Sequence, residues 1–507
     1  MLMQLTRTIS AALIAGTAIL VGGAEPQSRP LSLDDCIQLA LQHNLDIQIT
    51  RRTPEIARLS LSGAYGGYDP SFSAGYRHSF SSRPGGLDEF NRVIPSSESD
   101  TDNFNLGLGG VLPTGLSYSL SGDFSDTLAT RPLFDAQGNP IGTLSFGDAS
   151  SFAGISLRQP LLRNFWTDGN RLNIAIAKSN LKFSELVLRQ QIMATVTQVE
   201  ESYYRLIAAR DAVKVQEMAL ELAERLLSEN RKRVEVGVLA PLDEREAESQ
   251  VEASKAALLG ARNTVSVRQN ALKNLITDMI TDWQDVGIEP SETLSATPQT
   301  FSRQDSWEKG LTLRPDLLQS KVDLERRNIT LRYNKNQMFP QLDLVGSYGR
   351  IGNSTEFSGA LGGIVDGSGP QHSYGAQLTI PLSNRAARQR YRVSKEEIEQ
   401  ALLRLKQLEQ NIMVEIDDAI SGARTSLEQV VSTRASVEFA EQALRAEQKK
   451  LENGKSTSFQ VLRLQRDLTL RQYEYLSSLT TYNIALAQLA FSEGTALERH
   501  AITLEVR

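Results

Sequence analysis

Apolar residues recur at every seventh position along two long segments of the chain. The first stripe lies between 166 and 236 and consists of Ile192, Val199, Leu206, Val213, Leu220, Leu227 and Val234. The second stripe lies 217 positions further on and consists of Ile416, Ala423, Val430, Val437, Leu444 and Leu451; in the same register Glu409 breaks the apolar pattern. A strict seven-residue period predicts helices that pack side by side and supercoil. We therefore expect long helices at about 165–236 and about 386–452, each ~100 Å long at 1.5 Å per residue.

Each long helix is expected to end at a glycine and to be followed by a second, returning helix. Gly237 and Gly454 follow the two stripes, and glycine adopts the left-handed C-cap conformation at little cost. Pro241 is a favoured first-turn residue for the first return helix. Ala240 and Ser456 then lie at the ends of two antiparallel helical hairpins. Periodicity alone is also compatible with a filamentous or two-stranded coiled coil. The return helices are expected at about 241–280 and about 457–491.

The segments that follow Pro70 and Pro340 have a different period. In the first, the apolar residues Phe72, Ala74, Tyr76 and Phe80 alternate with Ser71, Ser73, Arg77 and Ser79. Alternation at two residues predicts strands with one apolar and one polar face. We expect such strands within about 70–160 and about 341–382, separated by long polar stretches at 81–102, 127–150 and 351–372.

The first segment also contains an extra pair of alternating runs, 104–112 and 116–124. They are joined by Pro113-Thr114-Gly115, which is a turn-forming triplet. This pair either raises the number of strands per chain from four to six or forms an extracellular hairpin.

The two halves of the chain resemble each other. The segments 43–46 and 313–316 are followed at the same distance by Pro70 and Pro340, so both pairs differ by 270 positions. Further similar pairs differ by 221 and 217 positions, namely Pro160 with Pro381 and Gly237 with Gly454. These offsets predict two copies of one structural unit that differ by insertions. The expected organisation is a signal peptide at 1–24, a first repeat at 25–282, a linker at 283–312, a second repeat at 313–491 and a C-terminal tail at 492–507.

The start of the chain indicates export from the cytoplasm. Met1–Ala24 combines Arg7, an apolar stretch and small residues, which is typical of a cleaved secretory signal. The other interpretation is a membrane anchor, but the apolar part is shorter than the ~20 residues that span a bilayer. Strands of about ten residues with one apolar face are typical of lipid-facing barrels. Four to six strands cannot close a wide barrel within one chain, so closure by several chains is expected. A soluble β-sandwich would show similar alternation, but long helical hairpins would not normally interrupt it.

Composition argues against several kinds of chemistry. The 54 basic and 60 acidic residues give a net charge of −6, whereas nucleic-acid binders usually carry a basic excess. The one cysteine, Cys36, cannot form an intramolecular disulfide, and it is expected to be a packed core thiol. The four histidines are scattered without metal-ligand spacing, and no nucleophile lies in a pattern with a base. We therefore expect no catalytic activity, no cofactor and no bound metal.

In the order of its elements, the chain resembles the TolC-like outer-membrane efflux proteins. The motifs that carry the resemblance are Arg314-Pro315-Asp316-Leu317, Phe339-Pro340, Ser156-Leu157-Arg158-Gln159-Pro160-Leu161-Leu162 and Val236-Gly237-Val238-Leu239-Ala240-Pro241-Leu242-Asp243. The resemblance implies an α+β membrane protein: a trimeric outer-membrane β-barrel of twelve strands, continued by a long periplasmic α-helical barrel. It also implies a passive exit duct for efflux or type I secretion. The implied partners are two other copies of the chain, a periplasmic adaptor, an inner-membrane transporter and outer-membrane lipid.

The same resemblance implies a gate at the periplasmic ends of the hairpins. In the family, an aspartate six residues after each of these glycines helps to line the constriction. Asp243 matches this position, but the second copy has Gln460, with Arg463 one turn further. A ring of Asp243 from three chains would favour cations; the alternative is a first-turn carboxylate that stabilises its helix by ~0.3 to 1 kcal/mol. For Gln460 and Arg463 the alternative is a solvated helix face. The candidate gate residues are Gly237, Ala240, Pro241, Asp243, Gly454, Ser456, Gln460 and Arg463.

A periplasmic adaptor or a structural coiled-coil protein is the rival interpretation of the whole chain. Such a protein also contains a helical hairpin, but it normally has one hairpin flanked by compact β domains. Two hairpins in matching register, each preceded by strands of bilayer length, favour the channel. The sequence leaves the cargo open among drugs, metals, small metabolites and polypeptides.

Overall fold

A computed structural model of the chain describes residues 27–502. The expected signal peptide at 1–24 and the last residues of the expected C-terminal tail lie outside the described residues. The helices are α1 (Leu33–His43), α2 (Leu45–Ala64), α3 (Gly169–Glu235), α4 (Pro241–Ile276), α5 (Arg303–Leu313), α6 (Pro315–Asn336), α7 (Phe357–Val365), α8 (Arg385–Glu452), α9 (Ser458–Glu493) and α10 (Ala496–Arg499). The strands are β1 (Gln27–Leu31), β2 (Ser71–Arg83), β3 (Gly86–Leu87), β4 (Val93–Ile94), β5 (Ser97–Val111), β6 (Ser117–Phe134), β7 (Pro140–Pro160), β8 (Val286–Pro290), β9 (Gln341–Ser354) and β10 (Pro370–Thr379).

The described residues form two compact units, and α3, α8 and α9 contribute residues to both. The first unit comprises 27–44, 198–296 and 429–484 and is mainly helical. It also contains a short parallel pair of strands, β1 and β8. Its core includes a cluster from α3, α8 and α9: Leu226, Ala440, Leu444, Leu451, Val461, Leu462 and Leu468.

The second unit comprises 45–197, 297–428 and 485–502. It contains a six-stranded antiparallel sheet in the order β10-β9-β7-β6-β5-β2. Its helical part has a core of Leu317, Ile412, Ile416, Ile420 and Leu489.

The two long helices, α3 and α8, occupy the segments for which the heptad pattern predicts them. Every member of both stripes is buried or half-buried, and so is Glu409. The fully buried members include Val199 and Leu206 in α3 and Ile416 and Ala423 in α8. The seven-residue period therefore marks the faces along which these helices pack.

The sheet has six strands, because the extra pair of alternating runs forms β5 and β6 within it. Six is one of the two strand numbers that the sequence left open, and it exceeds the four strands per chain that the resemblance implies. The polar stretches expected as loops are also partly strand, since β6 continues to Phe134 and β7 begins at Pro140. Alternation fades there because apolar residues lie on both faces of the strands: Leu128 on one face, and Leu144 and Phe146 on the other. The third polar stretch contains α7, which the pattern did not predict.

Candidate functional site

The two hairpin ends belong to the first unit, and each begins with a glycine in the left-handed conformation. Gly237 has φ +76° and Gly454 has φ +70°. Two hydrogen bonds close each helix end as a Schellman motif: Gly237 N donates to Val234 O (3.0 Å) and Val238 N to Arg233 O (2.8 Å). The same pair of bonds recurs at Gly454. A Cβ on either glycine would meet open space, so backbone conformation is what requires glycine at both positions.

Asp243 caps the first return helix. Its Oδ2 accepts a hydrogen bond of 3.2 Å from Ala240 N, which precedes Pro241 at the first position of α4. The side chain is only partly exposed. This geometry supports a capping role for the carboxylate, and a capping role does not prevent three such carboxylates from forming a ring.

The second hairpin end is held by a different set of side chains. Ser456 Oγ donates a 2.6 Å hydrogen bond to Glu447 Oε1, which ties the turn to α8. Hydrogen bonds from Lys450 and Ser456 lower the pKa of Glu447, so this carboxylate is charged at neutral pH. Gln460 is partly exposed and Arg463 is exposed.

Asn230 connects the two hairpins, and sequence reasoning missed it. This α3 residue is fully buried. Its Oδ1 accepts from Ser458 Oγ (3.0 Å) on α9, and its Nδ2 donates to Asp243 O (3.2 Å) on α4. Asn230 lies fourteen residues after Gln216, another buried polar residue, whose Nε2 donates to Tyr473 Oη (3.0 Å) on α9. The sequence did contain a signal for these residues, since Gln216 and Asn230 are polar and lie at heptad spacing beside the stripe that contains Leu227. A buried amide between packed helices fixes the register of those helices.

Two further contacts join the hairpins near their ends. Arg233 Nη1 donates to Leu451 O (3.3 Å), and Arg466 Nε donates to Gln250 Oε1 (2.6 Å). Of the predicted site residues, the structure thus links Asp243 to the start of α9 through Asn230. It does not bring Gln460 or Arg463 to Asp243 by any contact described here.

The sheet of the second unit has two faces of opposite character. Residues directly opposite on neighbouring strands share a face. One face carries rows of large apolar residues, for example Phe72, Leu108, Leu120, Ile155 and Tyr348. The other face carries rows of small polar residues, for example Ser71, Gly109, Ser119, Ser156, Ser347 and Ser373. The large residues on the apolar face are substantially exposed.

An ion pair lies at one end of the polar face. Arg158 Nε and Nη2 donate to Asp343 Oδ2 at 2.8 and 2.5 Å, linking β7 to β9. The Asp343 side chain is 2% exposed, whereas that of Arg158 is 47% exposed. Gln341 Nε2 donates to the same carboxylate oxygen (2.9 Å). The carboxylate is therefore buried with its partners in place.

Residues 27–502 lack two other features that would point to different chemistry. No helix in this range is both long and apolar enough to cross a bilayer. In the same range, no three His, Cys, Asp or Glu side chains are grouped as metal ligands would be. Cys36 is buried, as predicted for a core thiol.

Comparison with known proteins identifies relatives along most of the chain. The family described as "Outer membrane efflux protein" matches residues 129–277 and 308–495. Outer membrane efflux protein BepC of Brucella suis biovar 1 is 22% identical over 344 residues, which are 68% of this chain and 71% of BepC. A membrane protein from Pseudomonas aeruginosa has a similar fold, with TM-score 0.66, 19% identity and coverage of 96% and 97% of the two chains. The Campylobacter jejuni CmeC outer membrane channel gives TM-score 0.63, 15% identity and coverage of 97% and 94%.

Proposed function

Because the chain belongs to the outer membrane efflux protein family, we propose that it forms the exit duct of a tripartite efflux or type I secretion system. Its location is the outer membrane. In this proposal the duct conducts substrates passively to the exterior when it is docked to a periplasmic adaptor and an inner-membrane transporter. The observation that carries the proposal is the sheet, because an exposed apolar face opposite a serine-rich face suits lipid on one side and water on the other.

The two edges of the sheet support closure by further copies of the chain. β2 and β10 are the edge strands, and all their residues are exposed. Because five antiparallel pairings separate them, β2 and β10 run in opposite directions, so β2 of one chain can pair antiparallel with β10 of the next. Exposed edges of this length otherwise invite aggregation. Three copies would give a barrel of eighteen strands, a size at which porins enclose an aqueous channel.

The helices support the second part of the proposal, a helical barrel in the periplasm built from two copies of one unit. α3 and α8 have 67 and 68 residues, and α4 and α9 have 36 residues each. Equal lengths are expected if the halves arose by duplication. Three chains would contribute twelve helices, with the hairpin ends at the periplasmic opening and the Asp243 carboxylates as one ring.

The test of lipid contact uses two neighbouring residues of β7. Leu157 lies on the apolar face and Ser156 on the polar face, and both are exposed. Arginine on a lipid-facing position near the middle of the membrane costs ~2 to 4 kcal/mol. Leu157→Arg should therefore sharply reduce the amount of protein in the outer membrane, and Ser156→Arg should leave it near the wild-type amount. Equal effects would contradict the proposal. Purified wild-type protein should also form water-filled pores in planar bilayers.

A further inference from the structure

We infer that α7 is an interfacial helix that lies at one boundary of the apolar core of the membrane and contacts lipid. The inference rests on the proposed function, since it requires the apolar face of the sheet to face lipid. It adds a membrane contact made by a helix rather than by strands.

The helix α7 packs directly on the sheet. Ser151 Oγ on β7 donates a 2.6 Å hydrogen bond to Ala360 O, and Arg350 Nη1 on β9 donates to Ile364 O (3.1 Å). A Cβ on Gly352 would collide with Ala360 O, so glycine is what allows the helix to approach β9. These contacts hold α7 against the strands at both its middle and its C-terminus.

The row of the sheet that α7 covers is on the apolar face. Ser151 and Gly352 lie opposite each other, in one row with Tyr76, Phe104 and Phe124. This row belongs to the apolar face, because Phe104, Phe124 and Ser151 are each four positions along their strands from Leu108, Leu120 and Ile155, respectively. The Phe357 ring of α7 lies 6.2 Å from the Phe104 ring and 6.4 Å from the Phe124 ring, between centroids. α7 therefore lies across the apolar face, on an aromatic row.

The apolar band of the sheet ends at this row. The next row contains His78, Asp102 and Asp126, and His78 Nδ1 lies 3.0 Å from Asp102 Oδ1. On β9 the band extends from Leu342 to Gly352, which is ~33 Å along the strand at about 3.3 Å per residue. A tilt of about 40° reduces this to ~25 Å, the height of the apolar band in outer-membrane barrels. The α7 row thus coincides with one boundary of a membrane-sized band.

The helix α7 is uncharged, and the apolar side chains at its two ends are exposed. Phe357–Val365 contains no charged residue, and Glu356 and Asp366 flank it. Ala360 is its one buried residue, whereas Phe357 is 38% and Val365 is 77% exposed. Apolar side chains that remain exposed at a membrane boundary are stabilised by contact with the upper part of the acyl chains.

A recess beneath α7 extends this lipid contact. It has a volume of about 600 Å³ and is lined by Leu106, Leu108, Leu120, Ile155, Tyr348 and Ile364, among others. Arg350 also lines it, and its guanidinium points to the C-terminal end of α7. The charge is therefore compensated by a helix C-terminus, and the remaining surface suits an acyl chain.

The experiment is spin-label accessibility in proteoliposomes of outer-membrane lipid. Cys36→Ala removes the native thiol, and single cysteines replace Val365, Leu157 and Ser156 in separate variants. Oxygen partitions into lipid and a nickel chelate into water. At Val365 and Leu157 the ratio of oxygen to nickel collisions should be severalfold higher than at Ser156. Ser358, seven residues before Val365 on the same face of α7, is a second label site if the Val365 variant folds poorly.

Each outcome separates the inference from the proposed function. A high ratio of oxygen to nickel collisions at Leu157 (a lipid signal), together with a low ratio at Val365 and Ser358 (a water signal), would overturn the inference and leave the proposed function intact. Exclusion of both reagents from α7 would also overturn it, because a second copy of the chain would then cover the helix. A water signal at Leu157 would contradict the proposed function itself.

Discussion

Ser458 Oγ donates a 3.0 Å hydrogen bond to Oδ1 of Asn230, and both side chains are almost completely buried. The bond joins α9 to α3, and Asn230 also donates to the backbone of α4. One amide thus connects three of the four helices that form the hairpins of one chain. If the proposed duct opens by separation of these hairpins, this connection must break.

Asn230→Ala should loosen the hairpin ends. The substitution leaves Ser458 Oγ buried without its partner, at a cost of about 1–3 kcal/mol. We expect amide hydrogen exchange at 228–245 to accelerate, about tenfold for each 1.4 kcal/mol of lost local stability. The control is Asn453→Ala, since exposed Asn453 bonds within its own helix end, to Lys449 O. Equal exchange in Asn230→Ala and wild type would contradict the bridging role.

Gly237→Ala and Gly454→Ala should each destabilise a hairpin end. Alanine at positive φ costs about 1–2 kcal/mol, and neither position offers compensating contacts. The control, Gly260→Ala, lies inside α4 in open space and should instead stabilise its helix by about 0.5–1 kcal/mol. The midpoint of thermal unfolding, followed by circular dichroism, should fall in Gly237→Ala and Gly454→Ala and rise in Gly260→Ala. A change of the unfolding midpoint in the same direction in all three variants would show that the left-handed backbone conformation is not the reason for glycine at 237 and 454.

Asp243→Asn should reduce cation preference in planar bilayers. Asparagine keeps an oxygen that can accept the bond from Ala240 N, so the cap survives while the proposed ring loses its charge. Reversal potentials in a salt gradient measure the change. Glu246→Gln, an equal loss of charge on an exposed neighbouring position of α4, is the matched control and should have a smaller effect. Selectivity that stays at the wild-type value in Asp243→Asn would leave this carboxylate with its capping role alone.

Arg158→Met should weaken the sheet, because it leaves the buried Asp343 carboxylate without its charged partner. Solvent screens the half-exposed guanidinium, so we expect a loss of about 1–3 kcal/mol rather than the larger cost of a fully buried pair. The double variant Arg158→Met with Asp343→Leu should regain part of this loss. Resistance of the assembled protein to heating in detergent is the measurement. A double variant no more resistant to heating than Arg158→Met alone would contradict this account.

Cys36 should be unreactive in the folded protein. Burial raises the pKa of its thiol from 9.0 to about 12, with smaller contributions from Asp35 and Glu292, so the thiolate is almost absent at neutral pH. Maleimide should label the unfolded chain at pH 8 and leave the folded chain unlabelled. Above pH 9 the unfolded chain releases this proton while the folded chain retains it, so the thiol then favours unfolding. Rapid labelling of folded protein would show that Cys36 is accessible.

The sequence was sufficient for those features in which a short period reflects one local environment. Leu444 and Leu451 lie at heptad positions and are buried in the helical core. The alternation around Phe72 and Tyr76 marks strands with two distinct faces, and the turn at Pro113-Thr114-Gly115 is formed, with Gly115 at φ +85°.

Features that depend on a distant partner were not predictable in this way. Asn230 acquires its importance from Ser458, which lies 228 positions further along the chain. α7 is stabilised by Ser151 and Arg350 on strands, so its own nine residues carry only part of the signal. The outer ends of β6 and β7 are held by pairing with each other. Their sequence resembles that of a loop, because it lacks alternation and contains Pro132, Pro140 and Gly142.

The most direct test of the central claim is native mass spectrometry of the protein extracted by detergent from separated outer membranes. The account predicts that the chain is recovered in the outer-membrane fraction and that the extracted particle contains three copies. A soluble periplasmic protein, or a single chain in detergent, would contradict it, because the apolar face would then lack lipid and the edges of β2 and β10 would lack partners.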